Sequence, residues 1–152
     1  MLKPGSTAPA FKTTDAEGSS VSLKDFRGQK VALYFYPKDD TPGCTKEACS
    51  FRDAFKDFKK ADITVLGIST DNETSHKKFA KKFALPFTLL TDTDHSISDK
   101  YGAYGQKVFM GRTYMGVYRK TFLIDEKGKI KRIFEKVKPD EHAREVLEAF
   151  KG

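Results

Sequence analysis

The chain runs Val31-Ala32-Leu33-Tyr34-Phe35-Tyr36 without a polar interruption. A short continuous run of this kind predicts a strand covered on both faces of a sheet, and therefore a central one. Ile63-Thr64-Val65-Leu66-Gly67-Ile68-Ser69 predicts a second buried strand, and Phe87-Thr88-Leu89-Leu90 a third. Between the first two, Cys44, Ala48, Phe51, Phe55 and Phe58 recur at helical spacing with Lys, Asp and Arg among them. That spacing predicts a helix of about four turns running to Lys60. Asp71 or Asn72 caps a following helix that carries Phe79 and Phe83 and is closed by Leu85-Pro86.

The two ends of the chain read differently. Ala10 to Thr14 and Ser20 to Leu23 flank the turn-forming Asp15-Ala16-Glu17-Gly18, which predicts a short N-terminal hairpin. After Phe87–Leu90, the pattern predicts a short helix from Asp94 to Tyr101 and a glycine-rich connection from Gly102 to Gly116. A hairpin of Tyr118 to Asp125 with Lys129 to Glu135 follows, then a terminal helix opened by Pro139, with Ala143, Val146, Leu147 and Phe150 facing inward. Strands alternating with helices and then a closing hairpin and helix describe an α/β domain with a mixed central sheet flanked by helices. The order is that of a thioredoxin-like fold with an N-terminal β-hairpin extension.

At 152 residues, 38% hydrophobic and 12% aromatic, the chain has the size of one domain, residues 1–152, that buries its core without covalent staples. Two cysteines make no disulfide framework, and Met1-Leu2-Lys3-Pro4-Gly5 has no apolar signal core. No stretch approaches the roughly 20 apolar residues of a membrane span. The expectation is a cytoplasmic protein with reduced thiols and no membrane partner. The net charge of +7 raises the question of nucleic acid. The densest basic cluster, Lys77, Lys78, Lys81 and Lys82, falls on the polar side of the Phe79/Phe83 helix and reads as a solvated face. With no arginine-rich stretch, aromatic RNA-binding signature or zinc-finger spacing, no nucleic-acid partner is expected.

The candidate chemistry lies in Thr41-Pro42-Gly43-Cys44-Thr45-Lys46-Glu47-Ala48-Cys49. A strand leading through a Pro-Gly turn into a helix places Cys44 in the first helical turn, where free N–H groups and the helix dipole favour thiolate over thiol. On one regular helix Cys49 is rotated by roughly 140° and raised by about 7.5 Å, so the two Cα atoms lie about 9 Å apart. A disulfide spans roughly 7 Å without backbone movement. Either the pair never bonds or the first turns unwind when it does. Cys49 taken alone also reads as a small buried hydrophobe. His76, His95 and His142 are isolated in sequence, and the cysteine spacing is neither a zinc pattern nor Cys-x-x-Cys, so no metal or other cofactor is expected.

Pro37-Lys38-Asp39-Asp40-Thr41-Pro42-Gly43-Cys44 resembles the Pro-x-x-x-Thr-x-x-Cys motif of peroxiredoxins. Thr45-Lys46-Glu47-Ala48-Cys49 is similar to the peroxiredoxin Q / bacterioferritin comigratory protein subfamily, the atypical 2-Cys type. The likeness covers nearly the whole chain, including Leu66 to Asp71, Phe87 to Asp92 and Phe109 to Tyr114, with Tyr104 where many relatives have Trp. The resemblance implies a thiol-dependent peroxidase that reduces hydrogen peroxide and organic hydroperoxides. Cys44 would be the peroxidatic cysteine, forming a sulfenic acid, and Cys49 the resolving cysteine of a Cys44–Cys49 disulfide recycled by thioredoxin. Thr41 would donate or accept a proton as the O–O bond breaks, and Pro37 would shield the sulfur from water. Arg119 would favour the thiolate and stabilise the developing oxyanion. Glu47 would stand behind them as a partner of Arg119 or Thr41; read from the residues alone it is a solvated first-turn carboxylate.

Two other readings remain open at this point. One is a one-cysteine peroxidase in which Cys49 is structural, and the other a basic redox-sensing binding module. The subfamily likeness implies a monomer or weak homodimer.

Overall fold

The computed structural model describes residues 1–151. Its centre is a five-stranded sheet in the order β5-β4-β3-β8-β9, formed by β3 (Lys30–Phe35), β4 (Ile63–Ser69), β5 (Thr88–Thr91), β8 (Lys120–Ile124) and β9 (Ile130–Phe134). The strands β3, β4 and β5 run parallel, and β8 is antiparallel to both its neighbours, β3 and β9. The run from Val31 is thus the middle strand, and its two faces feed two cores. Ala32, Tyr34 and Tyr36 pack with Ala48, Phe51, Phe58 and Phe79 on one side. Val31, Leu33 and Phe35 pack with Leu66, Ile68, Tyr101 and Phe122 on the other. Burial on both faces explains the missing alternation. The mixed sheet with helices on its faces is the thioredoxin-like fold expected, and the N-terminal hairpin of β1 (Lys12–Thr14) and β2 (Ser20–Ser22) is present.

Several boundaries differ from expectation. The helix predicted to reach Lys60 is two helices, α1 (Pro42–Asp53) and α2 (Phe55–Lys60), because Ala54 leaves helical geometry at ψ 5°. Phe51 and Phe58 still share one core, so the 3.6-residue pattern survives the break. α3 (Glu73–Phe83) is capped by Asn72, whose side chain accepts from the Ser75 N–H, and it stops at Ala84 in the left-handed region. Lys77, Lys78, Lys81 and Lys82 are exposed on it. After the short α4 (Ser96–Lys100), the stretch expected as a glycine-rich connection is a two-stranded ribbon, β6 (Tyr104–Phe109) with β7 (Arg112–Val117). Its turn uses positive φ at Met110 and Gly111. The terminal helix α5 (His142–Lys151) starts three residues after Pro139, the intervening residues forming turns. No helix among the described residues is long and apolar enough to cross a membrane.

One register matters for chemistry. In the antiparallel β3/β8 pair, Phe35 faces Lys120. Arg119 therefore stands one residue beyond the ladder, at the end of β3 from which the chain passes to α1.

Candidate active site

α1 begins with Pro42 at its first position, where the missing N–H is not needed, and Thr41 is its N-cap residue. Cys44 is the third residue of this helix and 1% exposed. The first helical turn leaves N–H groups without intrahelical acceptors, so the sulfur sits in a positive, nearly dry environment.

Arg119 joins Cys44 to Glu47. Its Nη2 donates to Cys44 Sγ at 3.3 Å and its Nη1 donates to Glu47 Oε1 at 2.7 Å. A planar fork with separate donors suits this double task; an ammonium would not. The approach needs Gly43, since a Cβ there would lie 3.1 Å from Nη2. Glu47 is fully buried and its Oε2 has no hydrogen-bond partner among the described residues. The reading of Glu47 as a solvated surface carboxylate is therefore corrected: one turn beyond Cys44 on α1, it points into the core toward Arg119.

The ion pair is asymmetric. Burial works against the Arg119 charge, but Glu47 and Cys44 outweigh it and hold the guanidinium above its ordinary value. For Glu47 desolvation prevails over the attraction of Arg119 and pushes the carboxyl up to about 7. The upward direction follows from the surroundings, because Arg119 serves only one of the two carboxylate oxygens. Tyr34 lies in the same field: burial first, then the charges of Glu47, Cys44 and Asp39, hold its hydroxyl well above the ordinary phenol range.

The remaining candidates are distributed around this centre. The Thr41 hydroxyl donates to the Lys38 carbonyl at 2.9 Å, and the Thr41 carbonyl accepts from the Thr45 N–H. Pro37 is half-buried between β3 and α1. Cys49 is half-buried on the same unbroken helix as Cys44, and both thiols are free.

The histidines expected to be isolated are not. His95 contacts Asp99, and His142 lies between the rings of Phe51 and Phe134 with Nε2 against the Thr121 hydroxyl. His76 is buried against Asp39, and with Asp71 these form the group among the described residues best spaced to hold a metal ion. Their facing atoms are already bonded to one another and to Tyr36, Ser69 and Ser75. Spacing in sequence gives no sign of this cluster, whose members come from two segments, the β3–α1 connection and the start of α3.

A guanidinium donor beside a buried sulfur at a helix start can stabilise negative charge that develops on an atom bonded to that sulfur. Residues 4–133 match the AhpC/TSA family. The chain is 50% identical over 146 residues to a putative peroxiredoxin Bcp of Coxiella burnetii, covering 96% of this chain and 97% of that protein. It is 49% identical over 146 residues to peroxiredoxin Bcp of Escherichia coli K12, covering 96% and 94%. A solved structure of the Xanthomonas campestris bacterioferritin comigratory protein, determined in work on its alkyl peroxide reduction activity, superposes with a TM-score of 0.91 at 32% identity. It covers 99% of this chain and 95% of that one.

Proposed function

The chain belongs to the AhpC/TSA family, among the Bcp/peroxiredoxin Q thiol peroxidases, and we propose that its peroxidase chemistry runs through Cys44 with Arg119 as the electrostatic partner. The observation that carries this assignment is the 3.3 Å contact from Arg119 Nη2 to Cys44 Sγ inside a buried first helical turn.

The Cys44 thiolate attacks the terminal peroxide oxygen; an S–O bond forms, the O–O bond breaks, and the alkoxide or hydroxide leaves as alcohol or water after taking a proton. Arg119 opposes the charge that builds on the peroxide oxygens. Thr41, whose hydrogen is committed to the Lys38 carbonyl, keeps oxygen lone pairs with which to accept from the peroxide O–H. Pro37 carries no N–H and keeps water from the sulfur. Glu47 orients the guanidinium through Nη1.

Cys49 then attacks the Cys44 sulfenic acid: the S–S bond forms and hydroxide leaves as water. Both residues lie on α1, about 9 Å apart between Cα atoms on regular helical geometry, so the helix opens locally at each turnover. A thioredoxin-type dithiol reduces the exposed disulfide by exchange. The substrates are hydrogen peroxide and organic hydroperoxides. The whole chain works as one cytoplasmic domain, a monomer or weak homodimer, without nucleic acid or membrane; the dispersed basic residues support the part of this reading that concerns nucleic acid.

A peroxide titration of wild type, Cys44→Ser and Cys49→Ser, followed by free-thiol assay and intact mass, tests both cysteine roles. Cys44→Ser should lose turnover, and Cys49→Ser should trap sulfenic or further oxidised Cys44. Full thioredoxin-dependent turnover in Cys49→Ser, with no Cys44–Cys49 linkage in wild type, would sink the resolving role.

A further inference from the structure

Asp39, between β3 and α1, is held by a buried cluster to which the peroxide chemistry assigns no part. Asp39 is 8% exposed and His76, on α3, is fully buried. The Tyr36 hydroxyl donates to Asp39 Oδ1 at 2.6 Å and the Ser75 hydroxyl to Oδ2 at 2.7 Å. His76 Nδ1 lies 2.8 Å from Oδ2, and its Nε2 lies 2.8 Å from the Leu90 carbonyl. A carbonyl only accepts, so Nε2 donates there, and Nδ1 is the ring atom that faces the carboxylate. The Asp39 backbone N–H donates to Asp71, which also accepts from the Ser69 hydroxyl. One loop residue is thereby tied to the ends of β3 and β4, the first turn of α3, and β5.

The next residues are held differently. Asp40 is exposed and takes the left-handed region at φ 57°, and the Thr41 side chain makes no cap bond to α1. Further on, Ala48 and Phe51 are fully buried in the core. The stretch from Asp40 to Ser50, with both cysteines, runs from the Asp39 cluster to Phe51, and its own Cys44, Glu47 and Ala48 are buried while it stays helical.

We propose that Asp39 and His76 are positioning residues, a latch that closes the N-terminal end of the segment that opens for Cys44 to meet Cys49. The proposal rests on the Cys44–Cys49 reading above. A closed latch keeps Cys44 in the helical, Arg119-bound state that attacks peroxide. A loosened latch shifts the population toward the open state, which cuts the reactive fraction and speeds disulfide formation relative to overoxidation. Peroxide reactivity and resistance to sulfinic acid formation therefore move in opposite directions.

The test uses the reduced full chain and the variants Asp39→Ala, Asp39→Asn and Ser75→Ala, the last removing one donor from a half-buried position. Asp39→Ala should speed amide hydrogen exchange across residues 40–50 about tenfold or more while exchange in β3 and β4 stays slow. It should also slow Cys44 oxidation and raise the peroxide concentration that overoxidises half of Cys44. Asp39→Asn, which still accepts from Tyr36, should restore much of each effect, and Ser75→Ala should move all three readouts the same way by a smaller factor. A purely structural role would accelerate exchange throughout the sheet and leave the overoxidation threshold in place. Should Asp39→Ala not fold, Ser75→Ala decides. Unchanged exchange over 40–50, or an unchanged threshold, overturns the latch. A wild type that forms no Cys44–Cys49 disulfide overturns the underlying reading instead, a result distinct from the exchange measured on reduced protein.

Discussion

Gly43 and Arg119 are fitted to each other: a Cβ on Gly43 would stand 3.1 Å from Nη2 and 3.8 Å from Cζ of the guanidinium. Gly43 is the second residue of α1 and has no left-handed φ, so alanine suits its backbone. The same methyl displaces Arg119 by a few tenths of an ångström from Cys44. Gly43→Ala is therefore expected to fold yet react with peroxide about three- to tenfold more slowly, measured by stopped-flow oxidation of Cys44. A variant that folds and reacts equally fast would show that the guanidinium has room to spare.

Removing the arginine separates catalysis from stability. Arg119→Met takes the donor from Cys44 Sγ and should slow Cys44 oxidation about 10²- to 10³-fold. It also leaves the fully buried Glu47 without the partner that lowers its carboxyl value, so the group stays protonated at neutral pH and the cost in urea unfolding grows toward alkaline pH, up to about 3–5 kcal/mol. Arg119→Met combined with Glu47→Gln should recover most of that stability and none of the rate. Recovery of rate in the double variant would mean that the arginine acts only by neutralising Glu47.

Glu47 makes stability depend on pH with a sign opposite to that of an ordinary salt-bridged carboxylate. Its folded value is raised, from 4.5 to about 7, so between these pH values the native protein binds more protons than the unfolded chain. Stability contributed by this group is full below about 4.5 and falls as pH rises to about 7, by about 3 kcal/mol in all. Urea unfolding of wild type and Glu47→Gln at pH 5 and pH 8 should show the variant gaining on wild type as pH rises. A difference that stays constant with pH would place the titration elsewhere.

The sheet was readable because its strands carry continuous apolar runs that only double burial explains, and Ile63–Ser69 matches β4 residue for residue. Cys44 lies in the first helical turn as expected, although Pro42 and Gly43, read as a turn before the helix, are its first two residues. Arg119 was not legible from the residues alone, because 75 positions separate it from Cys44 and only the antiparallel register of β3 with β8 brings it across. Glu47 reads as a surface carboxylate by residue type, and the compensating cation that allows its burial comes from that same distant strand. The β6/β7 ribbon was hidden because its strands expose Val108, Phe109, Tyr114 and Met115 and so lack a buried face to pattern against. The Asp39–His76 latch joins residues from separate segments through side-chain hydrogen bonds, which leave no periodic trace.

Tyr34 completes the account of buried polarity at the centre. Its ring is stacked on Phe51 at 4.8 Å and presses on Gly67, where a Cβ would come within 2.9 Å of it. Its hydroxyl, like Glu47 Oε2, has no hydrogen-bond partner among the described residues. A buried unpaired hydroxyl carries a desolvation penalty of about 1–3 kcal/mol, while the stacked ring contributes whether or not the oxygen is there. Tyr34→Phe keeps the ring and removes the penalty, so it should raise stability by about 1 kcal/mol, whereas Gly67→Ala should lower it by forcing the ring aside. The Tyr34→Phe gain should be the same in the Glu47→Gln background if the two orphaned groups are independent, and unequal gains in a double-mutant cycle would show that they sense each other. A loss of stability in Tyr34→Phe would show that the hydroxyl is hydrogen-bonded in solution.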